Sequence, residues 1–223
     1  MLHLKKIYHN YFQGDEIVNV INSIDLVLKE NSIVGLVGPS GSGKSTLLNL
    51  IGLIESPTKG VIEIDNQDIS NLEDKIKTKM RKEKISFIFQ NNQLLEDFTC
   101  LENIALPLFF SGISLIESKK EALRLLYEYN LLNKKNYKPA LLSGGEQQRI
   151  SVLRALIKKP KIILADEPTG SLDNLNSKIV MDNIVKLSKK LKTLTIIATH
   201  NLQFLPLFDF TYEIVNGKLR KFK

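Results

Sequence analysis

The chain has 223 residues, of which 43% are hydrophobic and 25% are charged, so it can bury a large core. No apolar run approaches the roughly 18 residues that a membrane-spanning helix needs, and the N-terminus lacks the apolar core of a signal peptide. The single cysteine, Cys100, excludes an internal disulfide and suits a reducing compartment. These features predict a folded protein that is cytosolic by itself.

The net charge of +7 is compatible with nucleic acid or an anionic membrane surface as a partner. The lysines, however, occur as scattered pairs such as Lys119-Lys120 and Lys189-Lys190 rather than as one stripe. No aromatic-rich strand that could stack on bases accompanies them. We therefore expect no nucleic-acid partner.

Residues 1 to about 35 alternate between apolar and polar in short runs, a pattern typical of antiparallel strands. A turn is predicted at 13–15. Tyr11 and Phe12 precede this turn, where either ring could stack on a ligand or could simply belong to the core or its rim.

A glycine-rich motif, G-x-x-x-x-G-K-[ST], lies between an apolar run at 33–37 and a predicted helix at 47–51. Its glycines allow backbone N–H groups to surround an anion at the positive end of the helix. We expect the lysine to reach the β- and γ-phosphates of a nucleotide and the serine hydroxyl to bind Mg²⁺. The residues of this phosphate loop are Gly38, Pro39, Ser40, Gly41, Ser42, Gly43, Lys44, Ser45 and Thr46.

The chain after the loop continues as an α/β pattern: a turn at 56–60, a strand at 61–64, a surface helix at 71–84 and a strand at 85–89. This last strand ends in Gln90. Ligands bind at the carboxyl ends of strands in open α/β sheets, although a single amide there is weak evidence.

Residues 91–158 have helical spacing without β-branched runs, which predicts a helical subdomain inserted into the core. Its final helix begins at Ser143, which forms a capping box with Glu146. An ordinary helix start would explain this pair, but Gly144 and Gly145 disfavour helix and leave backbone N–H groups open. We therefore expect a second anion-binding helix terminus.

Two further strands end in polar residues. The strand at 161–165 leads into Asp166, expected to hold Mg²⁺, and Glu167, placed to accept a proton from an attacking water. A predicted helix at 174–191 precedes a strand at 194–199, which ends in His200. Since parallel strand ends meet at one edge, Gln90, the acidic pair and His200 should converge. A hairpin at 212–218 follows.

The order of these motifs resembles the ATP-binding subunits of ABC transporters over essentially the whole chain. Leu-Ser-Gly-Gly-Glu at 142–146, before the acidic strand, is its most specific element. The resemblance implies a RecA-like phosphate-loop NTPase core (1–90 and 159–223) with an antiparallel β subdomain, and an α-helical subdomain at 91–158. It also implies an ATPase that uses ATP and Mg²⁺.

The resemblance also implies a role for each matching residue. Tyr11 stacks on adenine, Gln90 contacts Mg²⁺ and senses the membrane partner, Asp166 binds Mg²⁺, Glu167 is the general base and His200 contacts the γ-phosphate. A second set would bind ATP held by the other subunit of a homodimer or cross that interface: Ser143, Gly144, Gly145 and Asp173. Separate integral membrane permease subunits are the implied partners, which would place the chain on the cytoplasmic face of the inner membrane.

Residues 94–108 and 200–203 resemble the branch that contains lipoprotein-release, macrolide-export and cell-division ATPases, and most of all the lipoprotein-release subunits. Paralogues in this branch share most of these features, so the other two remain alternatives. A soluble ABC ATPase acting on ribosomes or DNA is disfavoured, because such proteins carry two nucleotide domains or a long coiled coil. A regulatory protein without turnover is disfavoured by Glu167 and His200.

Overall fold

A computed structural model describes residues 2–222 of the chain and contains two β-sheets. The strands in this range are β1 (Leu2–Gln13), β2 (Glu16–Leu28), β3 (Ile33–Val37), β4 (Lys59–Ile64), β5 (Gln67–Asp68), β6 (Ile85–Phe89), β7 (Ile162–Asp166), β8 (Leu194–Ala198), β9 (Phe210–Val215) and β10 (Lys218–Lys221). The helices are α1 (Lys44–Ile51), α2 (Asp74–Lys84), α3 (Cys100–Phe110), α4 (Leu115–Glu128), α5 (Gly144–Leu156) and α6 (Asn174–Leu191).

The smaller sheet is antiparallel, with strand order β2-β1-β4-β5. β1 and β2 form the predicted hairpin, which turns at Gly14 with a φ of 61°. A left-handed conformation of this kind is one that glycine adopts at little cost. The hairpin therefore holds Tyr11 close to its tip.

The larger sheet has the order β10-β9-β3-β8-β7-β6. Its five strands from β9 to β6 are parallel, and β10 pairs antiparallel with β9. β6, β7 and β8 are neighbours, so their carboxyl ends lie side by side, as the sequence predicts. The α/β class is confirmed.

Alternation along the parallel strands divides the core into two clusters. In β7, Ile163 and Ala165 pack with α5 and α6, whereas Ile162 and Leu164 face α1 and the antiparallel sheet. Successive side chains of a strand point to opposite faces, so a strand covered on both faces is apolar throughout. This burial fixes the position of the polar residues that follow each strand.

The predicted helical character of 91–158 is confirmed by α3, α4 and α5, with short 3₁₀ turns at Leu132–Lys134 and Pro139–Leu141. The predicted surface helix begins at Asp74 rather than at 71, because an extended segment precedes it. β5 and a 3₁₀ helix at Leu202–Leu207 were not predicted, since short elements carry little periodic signal. No helix within 2–222 is long and apolar enough to cross a membrane.

Candidate nucleotide-binding site

The phosphate loop joins β3 to α1 and has glycine at three positions of positive φ. Gly38, Gly41 and Gly43 have φ values of 147°, 75° and 105°. A Cβ at Gly38 would also lie only 2.6 Å from the backbone oxygen of Ile214 in β9. Side chains are therefore disfavoured by backbone conformation at all three positions and, at Gly38, excluded by the adjacent strand as well.

Lys44 opens α1 and folds back over the loop. Its Nζ donates to the backbone oxygens of Gly38 and Pro39, both at 2.9 Å, and lies 3.9 Å from Oε1 of Glu167. The side chain is buried, with only 7% of its surface exposed. A cation held in this way faces the space that the loop encloses, and it can neutralise bound phosphate.

Asp166 ends β7 next to the start of α1. Burial raises the pKa of this carboxyl above its ordinary value; hydrogen bonding to Ser45 counteracts the shift, Glu167 adds to it and Lys44 opposes it. Its Oδ1 is buried and has no hydrogen-bond partner within residues 2–222.

This oxygen and the Ser45 hydroxyl fit Mg²⁺, which prefers oxygen ligands. Within residues 2–222 no three His, Cys, Asp or Glu side chains form a metal-binding group. Mg²⁺ commonly binds through one or two protein ligands, waters and nucleotide phosphates, so two protein ligands suit it.

Glu167 and His200 form a pair at the adjoining ends of β7 and β8. Nδ1 of His200 lies 3.0 Å from Oε2 of Glu167, and the Glu167 backbone N–H donates to the oxygen of Ala198 at 2.9 Å. Glu167 has a φ of 44°, an uncommon left-handed conformation for a residue other than glycine. The chain thereby turns at once after β7 and brings this carboxylate between Lys44 and His200.

Gln90 follows β6, as predicted, but its side chain packs against the turn after Glu167. A Cβ at Gly170 would lie 2.9 Å from Nε2 of Gln90. The amide thus lies beside the turn that follows Glu167, and it makes no hydrogen bond with Ser45 or Asp166 among the described residues. Its expected contact with Mg²⁺ stays a prediction.

Tyr11 is joined to the phosphate-loop helix, whereas Phe12 is not. Its hydroxyl lies 3.3 Å from Oγ1 of Thr46 and donates to Oε2 of Glu55 at 2.7 Å. The ring is 39% exposed, against 76% for Phe12. A partly exposed ring held beside the loop is placed to stack on a base.

The second set of predicted residues lies elsewhere on the surface. Ser143 caps α5 and forms the predicted capping box with Glu146, while Gly145 packs against Asn176 of α6. Asp173 caps α6 by accepting from the N–H of Asn176 at 2.9 Å. Ser143, Gly144 and Asp173 are exposed. Their contacts within residues 2–222 run to Glu146, Leu172 and Asn176, and their roles toward a nucleotide stay predictions.

Polar residues of α5 also hold the end of β6 and the loop that follows Gln90, which the sequence reasoning missed. Gln148 donates to the oxygen of Phe89 at 2.8 Å, and Arg154 donates to the oxygens of Asn92 and Gln93, both at 2.8 Å. Gln148 is buried and Arg154 is partly buried, on a helix side that is otherwise mostly apolar. Polar residues on the apolar side of a predicted amphipathic helix were the signal in the sequence that could have pointed to these contacts.

Comparison with known proteins agrees with this geometry. The family model described as "ABC transporter" matches residues 21–170. The lipoprotein-releasing system ATP-binding protein LolD of Legionella pneumophila (strain Lens) is 36% identical over 215 residues, covering 96% of this chain and 95% of the relative. The uncharacterized ABC transporter ATP-binding protein MJ0796 of Methanocaldococcus jannaschii is 42% identical over 206 residues, covering 91% and 88%.

Solved structures give the same result. A dimeric, post-hydrolysis ATP-binding cassette MJ0796 bound to ADP and Pi superposes with a TM-score of 0.90 at 37% identity, covering 100% of this chain and 99% of the other. CbiO1 of Clostridium perfringens, part of an ABC transporter complex, has a TM-score of 0.87 at 25% identity, covering 98% and 86%. The family match over residues 21–170 and these relatives show that the chain belongs to the ABC transporter family, as an ATP-binding cassette.

Proposed function

We propose that this cassette hydrolyses ATP to drive the release of lipoproteins from the inner membrane, docked on the cytoplasmic side of separate permease subunits. The observation that carries the ATPase assignment is the Lys44–Glu167–His200 cluster beside the phosphate loop. The cargo assignment rests on the relatives named for lipoprotein release.

The geometry supports a division of labour within the first set of residues. The loop from Gly38 to Thr46 holds the phosphates, Ser45 and Asp166 hold Mg²⁺, and Tyr11 stacks on adenine. Mg²⁺ supplies charge neutralisation on the phosphate oxygens. Glu167 orients the attacking water and takes its proton, and His200 donates to the γ-phosphate while its contact with Glu167 keeps both side chains in place.

The second set, of which Ser143, Gly144 and Asp173 are exposed, supports a dimer with shared sites. Gly144 and Gly145 form the first turn of α5 at its positive end, while the N–H of Ser143 donates to Oε2 of Glu146 at 2.9 Å. In a symmetric dimer, this helix end meets the γ-phosphate bound by the partner, and Asp173 crosses the interface. The helical part at 91–158 and the core formed by 1–90 and 159–223 then act as two subdomains that close together around ATP.

Substitution of Glu167 tests the catalytic assignment. Glu167→Gln keeps the shape of the side chain but cannot accept a proton, so ATP binding should persist while turnover falls roughly 100-fold or more. Phosphate release and nucleotide binding are measured on the same preparation. Glu121→Gln is the matched control, since the Glu121 side chain is about half exposed and pairs with the surface residue Arg124. Near-normal turnover by Glu167→Gln would contradict the assignment.

The same variant tests the biological role. Tagged Glu167→Gln protein, purified from its native cells in mild detergent with ATP and Mg²⁺, should retain the closed dimer and its partner. Mass spectrometry should identify a permease and, with it, the cargo. A macrolide-type exporter or a cell-division protein in its place would move the assignment within the branch. Recovery with ribosomes, DNA or no partner would contradict a transport role.

A further inference from the structure

Glu55 follows α1 and connects that helix to the tip of the first hairpin. Its Oε2 accepts the Tyr11 hydroxyl at 2.7 Å, and its Oε1 accepts from Nδ2 of Asn49 at 2.8 Å. Asn49 belongs to α1, the helix that begins in the phosphate loop. Both carboxylate oxygens therefore accept a hydrogen bond, one from the Tyr11 hydroxyl and one from the Asn49 amide in α1.

Tyr11 is restrained at two further points. Its ring meets His9 edge to face, with centroids 4.8 Å apart, and Nε2 of His9 lies 3.0 Å from Oε2 of Glu55. Its hydroxyl lies 3.3 Å from Oγ1 of Thr46. Burial raises the pKa of Tyr11, so near neutral pH the hydroxyl is protonated and donates to the carboxylate. The ring face stays accessible while its edge and tip are fixed.

We propose that Glu55 is a positioning residue for nucleotide binding, which acts by holding the Tyr11 ring in the orientation that stacks on the adenine base of ATP. This inference rests on the proposed function, because it takes ATP as the ligand and Tyr11 as the base contact. A ring fixed in advance loses less conformational freedom when the base arrives. Glu55 touches neither the nucleotide nor the reacting atoms.

The test separates base binding from phosphate binding by titration calorimetry with two ligands, Mg²⁺-ATP and Mg²⁺-tripolyphosphate. Glu55→Ala should weaken ATP affinity about 3- to 10-fold, in line with the cost of ordering one side chain, and leave tripolyphosphate affinity unchanged. Tyr11→Phe should have the same effect, and the double variant should be no weaker than either single one. Glu55→Gln should restore much of the affinity, since an amide oxygen accepts the same hydrogen bond.

Asn49→Ala is the matched control, because it removes the other hydrogen bond of Glu55 and leaves the one to Tyr11. Its ATP affinity should match the wild type. The proposal is overturned if Glu55→Ala weakens both ligands equally, if Asn49→Ala reproduces its effect, or if Tyr11→Ala binds ATP normally. ATP hydrolysis by the wild type is measured in parallel; its absence would contradict the proposed function, whereas the affinity ratios test Glu55 alone.

Discussion

Asp166 is a buried carboxylate whose charge the fold stabilises only in part. It ends a strand whose other residues are apolar, and its Oδ1 accepts no hydrogen bond from the part of the chain that the structure describes. Burial is the largest cause of its raised pKa. A group in this condition lowers stability in its charged form, and the proposed role as a Mg²⁺ ligand accounts for an acidic residue at such a place.

Removal of this charge should stabilise the protein. Because the pKa in the folded state is raised above that in the unfolded state, the ionised form is disfavoured by folding, and stability is lost as pH rises through the folded pKa. Asp166→Asn should therefore melt above the wild type at pH 7. The difference should shrink as pH falls toward the ordinary aspartate range near 4. Thermal melts without nucleotide at pH 7 and pH 4.5 measure it.

The ATP turnover of Asp166→Asn should fall even though its stability rises, since an amide is a poor Mg²⁺ ligand. Asp182→Asn, an exposed substitution on α6, is the control for general charge effects. A melting temperature of Asp166→Asn below that of the wild type at pH 7 would contradict the prediction. It would show that interactions in the folded state outweigh the cost of burying the ionised carboxylate.

The sequence predicted that the carboxyl ends of the parallel strands lie side by side, and the structure places them so. Glu167 and His200 meet because β7 and β8 are parallel neighbours. The left-handed backbone at Glu167 and the role of Glu55 were not predictable. Both depend on where the chain goes after a strand or helix ends, and local pattern carries no information about that path.

At the scale of elements, α5 combines a structural cap with an exposed helix end. α3 has the same capping box, formed by Thr99 and Glu102, with no predicted ligand. The two helices therefore form a matched pair in which the energetic effect of a cap can be separated from its function.

Ser143→Ala and Thr99→Ala should each lower the free energy of unfolding by about 1 kcal/mol, because each leaves a first-turn N–H without its side-chain acceptor. Only Ser143→Ala should also reduce ATP turnover, since only that cap faces the partner's nucleotide in the proposed dimer. Urea unfolding and phosphate release measure the two effects. If both variants turned over ATP equally fast, Ser143 would act as a helix cap without a role at the partner's nucleotide.

At the scale of the whole molecule, the proposed dimer builds each site from two chains, with the phosphate loop of one chain and the start of α5 of the other. Gly144→Asp places a negative charge at the start of α5, where the partner's γ-phosphate is proposed to bind. The variant should fold, because a Cβ at this position makes an ordinary 3.6 Å contact with Leu172. Lys44→Ala damages the phosphate loop. In a homodimer of either variant, every shared site contains one damaged half. Each variant alone should therefore be inactive.

A mixture of these two variants should recover activity. A heterodimer combines both defects in one site and leaves the other site intact, so an equal mixture should reach at most about a quarter of wild-type turnover. Phosphate release across a range of mixing ratios measures it, with a maximum expected near equal amounts. Absence of recovery at every ratio would contradict sites shared between two chains.

The sequence by itself determined the elements and the chemistry. Hydrophobic alternation gave the strands, the capping box gave the start of α5, and the glycine-rich motif gave the phosphate loop, since each is encoded by neighbouring residues. The tertiary structure decided which polar residues meet. The order β8-β7-β6, the turn at Glu167 and the hydrogen bonds from Arg154 of α5 to the loop after Gln90 all join residues far apart in the chain. Packing of buried faces fixes these contacts, and packing is a property of the whole fold.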